Sequence, residues 1–288
     1  MTQDIKLTEL LTLEKLEEGL YRGLSWDLGF RALFGGQVMG QALAAAQRTV
    51  KDERIAHSLH CYFLLPGNAH LPVVYDVEIM RDGRSFCTRR VKAIQGGRTI
   101  FYMTASFQLP EQGLSHQHAP MPQVPAPESL EPDIRFYEDM MDKLPPVMVE
   151  KLAYHKPIDM RSVQSVNPMD PKIMEPTRYV WMRTSNDLND ELDQHQTCLT
   201  YASDYYFLVT ALQPHGVSIM NRSVRMATID HAMWFHRPFR FDDWLLYCME
   251  SPFSGNARGL VRGQIYNRQG ELVASTMQEG LMRKVEEE

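Results

Sequence analysis

The segment Cys61-Tyr-Phe-Leu-Leu-Pro66 returns later in the chain as Met233-Trp-Phe-His-Arg-Pro238, its proline 172 residues on. Gly97 and Gly270, each just ahead of a strand-like run, lie 173 residues apart. Two landmarks at nearly one offset point to an internal repeat. The same order of elements surrounds both. In the first half an apolar helix, Gly35 to Gln47, precedes strand-like runs at His57 to Leu65, Val73 to Arg81, Phe86 to Gln95 and Thr99 to Gln108. In the second half a helix from Thr197 to Leu212 precedes runs at Met226 to Arg237, Trp244 to Ser251, Gly259 to Asn267 and Glu271 to Arg283. Turn residues such as Asp82-Gly83, Gly96-Gly97 and Gln269-Gly270 join the strands, so each half predicts an antiparallel sheet packed on one helix, an α+β fold.

Between the halves the prolines crowd together: Pro110, Pro120, Pro122, Pro125, Pro127 and Pro132. Such a stretch continues neither a helix nor a central strand. The expected organisation is an N-terminal unit over 1–110, a Pro-rich linker over 111–157 that crosses outside the sheet, and a C-terminal unit over 158–288. A short helix is expected in the linker from Ile134 to Leu144, ended by Pro145-Pro146.

The repeat isolates what differs between the copies. Thr228 falls opposite Ala56, and Gln278 opposite Ala105, so the second copy carries polar groups where the first has methyls. Asp204 stands among Tyr201, Leu208, Ala211 and Leu212 at helical spacing, with no Lys or Arg within two turns to pair with it. An ionised carboxylate facing apolar neighbours costs several kcal/mol unless paired or hydrogen-bonded. Asp204, Thr228 and Gln278 are therefore the candidate site.

Other candidates are weaker. His57 is a candidate auxiliary base, although a strand histidine is more often a hydrogen-bonded structural group. His57 and His60, like His231 and His236, are of opposite strand parity and cannot share a metal ion. Asp230 and His236 share parity with Thr228 if their strand is regular. Gly35-Gly36 opens the first helix, where free backbone N–H groups suit an oxyanion or a ligand phosphate, though close packing of helix against sheet also calls for glycine.

Composition excludes several classes. The 288 residues are 44% hydrophobic and 23% charged with a net charge of -6, which suits a packed soluble domain and argues against nonspecific nucleic-acid binding. No apolar run is long enough for a spanning helix, so no membrane insertion is expected. The start, Met1-Thr-Gln-Asp-Ile-Lys, lacks a signal core, the end at Val285 to Glu288 is not a Ser-Lys-Leu address, and a cytoplasmic location follows as the default. Cys61, Cys87, Cys198 and Cys248 are scattered in apolar segments, the pattern of small buried hydrophobes. There is no Gly-x-Ser-x-Gly elbow, no Gly-x-Gly-x-x-Gly and no Walker-type Gly-Lys-Ser/Thr.

Phe34-Gly-Gly-Gln, Val38-Met-Gly-Gln-Ala-Leu, Ala227-Thr-Ile-Asp-His-Ala-Met-Trp-Phe-His-Arg-Pro238 and Ala274-Ser-Thr-Met-Gln-Glu-Gly280 resemble the type II acyl-CoA thioesterases, the TesB family. The resemblance runs from about Leu10 to Met282. It implies a double hotdog, two tandem helix-wrapped sheets forming one continuous sheet. It also implies hydrolysis of fatty acyl-CoA to fatty acid and CoA without metal or cofactor, in a homo-oligomer, dimer or tetramer. The family's catalytic Asp, Thr and Gln fall on Asp204, Thr228 and Gln278, where they would activate a water. Two other classes stay open: a hotdog hydratase or dehydratase acting on an acyl thioester, and a non-catalytic acyl-CoA-binding sensor.

Overall fold

The computed structural model describes residues 6–30, 32–51, 53–139, 146–151, 154, 157–164, 166–218 and 224–285. In chain order its elements are α1 (Leu7–Leu11), β1 (Glu14–Glu17), β2 (Leu20–Gly23), α2 (Gly35–Gln47), β3 (Ile55–Phe63), β4 (Val73–Asp82), β5 (Phe86–Gln95) and β6 (Arg98–Gln108). Then follow α3 (Asp133–Glu138), α4 (Pro146–Lys151), β7 (Ile158–Ser162), β8 (Thr177–Thr184), α5 (Leu192–Ala202), α6 (Phe207–Thr210), β9 (Val224–Thr228), β10 (Asp230–Phe235), β11 (Leu245–Gly255), β12 (Arg258–Asn267) and β13 (Leu272–Lys284).

All thirteen strands join one antiparallel sheet in the order β1-β2-β4-β5-β6-β3-β10-β13-β12-β11-β8-β7, with β9 added along β13. The order is a palindrome of two six-strand sets, each built from a pair of strands before its helix and the others after it. The halves meet where β3 pairs with β10, and His60 lies opposite Ala232, its own counterpart at the 172-residue offset. The repeat therefore becomes an approximate two-fold axis through the centre of the sheet. Gly97 and Gly270 both take positive φ, 73° and 80°, in the turns that launch β6 and β13, a conformation that costs glycine little. This is the double hotdog architecture that the family resemblance implies.

The helices lie together on one face. α2 packs on β4, β5 and β6 of its own half and on α5 of the other, while α6 packs on β11, β12 and β13. Alternating residues of the strands, such as Val91, Ala93, Met103, Ala105, Val261 and Ile265, close a single core against them.

Three local expectations change. The helix expected over Thr197 to Leu212 is two helices: α5 stops at Ala202, and Tyr206 takes a left-handed φ of 58° before α6 begins. The strand expected over Met226 to Arg237 is β9 and β10 with a bulge between them. β13 pairs Gly280 with Thr228 and Met277 with Ala232, three steps against four. In the linker, α3 covers Asp133–Glu138 and ends there; the rest of the helix expected to Leu144, and its Pro145 stop, lie outside the described residues except Asp139. The linker also does more than connect. Met121, Val124 and Leu130 pack on Trp181, Trp244 and Leu246, and the Trp181 indole N–H donates to the Pro125 carbonyl at 2.9 Å. Among the described residues no helix is long and apolar enough to cross a membrane.

Candidate active site

The break between α5 and α6 places Asp204 in a turn instead of mid-helix, aimed at the N-terminus of α2 from the other half. Its Oδ2 accepts the Gly36 backbone N–H at 3.0 Å. α2 has no side-chain cap of its own, so the carboxylate supplies one across the two halves and sits at the positive end of the helix dipole. The two glycines make this approach possible. A Cβ on Gly35 would stand 2.6 Å from Asp204 Oδ2, and one on Gly36 would stand 2.1 Å from the Tyr201 carbonyl oxygen. The glycines thus serve packing of helix against helix, and the Gly36 N–H is directed at Asp204.

Thr228 reaches the site from the end of β9, its hydroxyl 3.5 Å from Asp204 Oδ1, at the outer limit of a hydrogen bond. Gln278, on β13 and 1% exposed, donates its Nε2–H to Thr228 Oγ1 at 3.1 Å. Asp204, Thr228 and Gln278 therefore converge. Phe34, Tyr201 and Tyr205 form an aromatic wall beside them, with ring centroids 4.7–5.2 Å from Phe34.

Burial pushes the Asp204 carboxyl up to about 6, against the pull of the Gln278 amide, the Gly36 N–H and the Thr228 hydroxyl. Asp204 and Thr228 are each partly buried as whole residues, while the Asp204 carboxyl group itself is turned into the protein. A carboxylate poised near neutral pH beside a hydroxyl and an amide is equipped to take a proton from a bound water.

The other histidines and acids fall elsewhere. His57 Nε2 is 2.8 Å from Ser106 Oγ and its ring meets Phe86 edge-on, apart from the Asp204 group. His236 meets Ser275 at 2.8 Å. Asp230 Oδ1 accepts the Glu279 backbone N–H at 2.8 Å, and the bulge between Thr228 and Asp230 removes the shared parity expected of Thr228, Asp230 and His236. His231, by contrast, belongs to the site: its Nδ1 lies 2.7 Å from Gln278 Oε1 and its Nε2 lies 3.2 Å from Ser203 Oγ. Its core-facing position in an apolar run was the signal, since a buried imidazole needs partners.

Cys61, Cys87 and Cys198 are buried and Cys248 is half-buried. Burial raises the thiol pKa of Cys61, Cys198 and Cys248, the last to about 12, which leaves them poor nucleophiles. Among the described residues no group of three or more His, Cys, Asp or Glu is placed to hold a metal ion.

Comparison with known proteins gives a consistent picture. Residues 150–281 match the acyl-CoA thioesterase family, and residues 23–108 match the acyl-CoA thioesterase N-terminal domain. The chain is 43% identical to acyl-CoA thioesterase 2 of Haemophilus influenzae over 96% of both chains. It is 39% identical to acyl-coenzyme A thioesterase 8 of Homo sapiens, over 98% of this chain and 90% of that one. Among solved structures, the acyl-CoA thioesterase II TesB2 from Mycobacterium marinum is 40% identical and superposes with a TM-score of 0.77, covering 96% of this chain and 98% of that one.

Proposed function

The chain belongs to the type II acyl-CoA thioesterases, and on that premise we propose that it hydrolyses fatty acyl-CoA to fatty acid and CoA with Asp204 as general base. The observation that carries this reading is a buried carboxylate, raised to about 6, flanked by the Thr228 hydroxyl and the Gln278 amide. In this mechanism Thr228 and Gln278 orient a water beside Asp204. As the water oxygen attacks the thioester carbonyl, its proton passes to Asp204 Oδ. The tetrahedral oxyanion collapses to the carboxylic acid with cleavage of the C–S bond, and the proton held on Asp204 passes to the departing CoA sulfur, which regenerates the base. A thiolate is a good leaving group, so no strong general acid is required.

The same contacts favour hydrolysis over hydration. That chemistry wants an acid–base histidine facing the carboxylate, whereas His231 is bonded to Gln278 and Ser203. Homo-oligomerisation, as dimer or tetramer, belongs to the same proposal, and sedimentation at assay concentration checks it.

Asp204→Asn is the sharp test. Asparagine still accepts the Gly36 N–H through its side-chain carbonyl, so the α2 cap survives while the base is gone. Thiol release from a fatty acyl-CoA should fall about 10²- to 10⁴-fold in kcat, with KM little changed. Thr228→Val and Gln278→Ala should cost less, and their losses should not add, because both act on one water. Wild-type kcat in folded Asp204→Asn would refute the mechanism; absence of turnover in the wild type would leave a binding protein.

A further inference from the structure

An ionised carboxylate only accepts hydrogen bonds, and that fact sets the direction of the whole chain behind Asp204. Thr228 must spend its single proton on Asp204 Oδ1. Its oxygen then needs a donor, which is Gln278 Nε2 at 3.1 Å. That choice turns Gln278 Oε1 away from the site, onto His231 Nδ1 at 2.7 Å. An amide oxygen cannot donate, so His231 must carry its proton on Nδ1. If Gln278 were turned about, its oxygen would take the Thr228 proton and Asp204 would lose a donor. The Gln278 side chain has nearly the same shape in both orientations, so packing alone cannot choose between them.

We propose that His231 is a positioning residue for the attacking water: its Nδ1–H holds the Gln278 carbonyl and thereby aims the Gln278 amide and the Thr228 hydroxyl at Asp204. The imidazole is itself well fixed. It is 1% exposed, its Nε2 lies 3.2 Å from Ser203 Oγ, whose single proton is divided between that nitrogen and the Thr200 carbonyl at 2.9 Å, and Phe207 packs on its ring at 5.6 Å between centroids. Its backbone carbonyl accepts the Cys61 thiol from β3. Burial lowers its pKa to about 4, so it is neutral with one N–H through the working range. Ser203 adjoins Asp204 in sequence and its own carbonyl accepts the Tyr247 hydroxyl at 3.1 Å. The network therefore runs from the turn that carries the base, through His231, to the groups that orient the water.

This inference rests on the water-positioning role given above to Gln278, and the experiment separates the two. Kinetics of thiol release are measured for the full chain carrying His231→Leu, His231→Asn, His231→Gln, Gln278→Ala, and His231→Leu combined with Gln278→Ala. Asparagine places its amide N–H where Nδ1 stood; glutamine reaches the place of Nε2 and leaves Gln278 without its donor. The expected result is a kcat about 10- to 100-fold lower in His231→Leu with KM little moved, most of the loss recovered in His231→Asn and not in His231→Gln. In the Gln278→Ala background, His231→Leu should cost no more than about twofold further. If the leucine variant fails to fold, the asparagine–glutamine comparison decides alone. Asparagine no better than glutamine, or an undiminished loss from His231→Leu when Gln278 is already absent, overturns the proposal. Wild-type kcat in Gln278→Ala itself overturns the water-positioning reading and this inference with it.

Discussion

A residue kept at a cost to stability leaves a signature in pH. The Asp204 carboxyl titrates near 6 in the folded protein, above its ordinary value of 3.8, chiefly through burial. As a base it must be ionised to work, so kcat/KM should rise with pH through an acid limb centred near 6 and level off above. Stability runs the other way. The folded state holds this proton more tightly than the unfolded chain, so the stabilisation from protonated Asp204 is present below about 4 and lost as pH rises through about 6. Asp204→Asn should therefore be more stable than the wild type at pH 8, with the gap closing toward pH 4. Chemical denaturation at the two pH values measures the gap, and an equal difference at both would contradict it. His231 contributes the opposite slope: its folded pKa, lowered to about 4, makes stability fall as pH drops from 6.5 toward 4. A scan that uses Asp204→Asn as reference separates the two groups.

At the level of elements, the contact between α2 and the α5–α6 turn is where packing and chemistry meet. Alanine for glycine inside a helix is ordinarily worth about 1 kcal/mol of added stability. At Gly36 the sign should reverse, because the new methyl would sit 2.1 Å from the Tyr201 carbonyl and 2.6 Å from the Phe34 ring. Gly36→Ala should lose about 1–3 kcal/mol by forcing the helices apart, and kcat with it; a thermal scan showing a rise in Tm would contradict this. The same region shows what sequence could and could not reveal. β3 to β6 and β10 to β13 were legible because their apolar residues alternate and glycines mark their turns. Asp204 was legible as an unpaired carboxylate among apolar neighbours, although its surroundings were not. The left-handed Tyr206 stands in Ser203-Asp-Tyr-Tyr-Phe207, where no Gly or Pro marks a break. The bulge at Ile229 is equally unmarked, and it defeats any parity argument across β9 and β10, which is why His231 went unassigned. The first strand, Glu14–Glu17, is exposed throughout and so carries no alternation to read, and β2, β7 and β8 lie outside a pattern that counts only the strands after each helix.

For the whole molecule, the geometry argues that two repeats make one folding unit. β3 and β10 share a ladder at the centre of the sheet, α2 and α5 pack across the halves, and the cap of α2 is a side chain from the second half. Asp204, Thr228 and Gln278 lie in one copy, yet Gly35 and Gly36 at the start of α2, against which Asp204 rests, lie in the other. Loss of structure in either half should therefore propagate, and local opening confined to one repeat should be rare. Ile265, fully buried on β12, offers the test, being remote in sequence from the first half and outside the hydrogen-bond network of Asp204. Ile265→Ala should cost about 2–5 kcal/mol through the cavity it leaves. If the sheet unfolds as one body, the most protected amides of β5 and β6 in the first half should lose hydrogen-exchange protection by the same amount as those of β11 and β12 in the second. Protection that falls in β11 and β12 while β5 and β6 keep theirs would show two separately stable hotdogs, and the junction at His60 and Ala232 would then be a contact surface between domains instead of the middle of a single core.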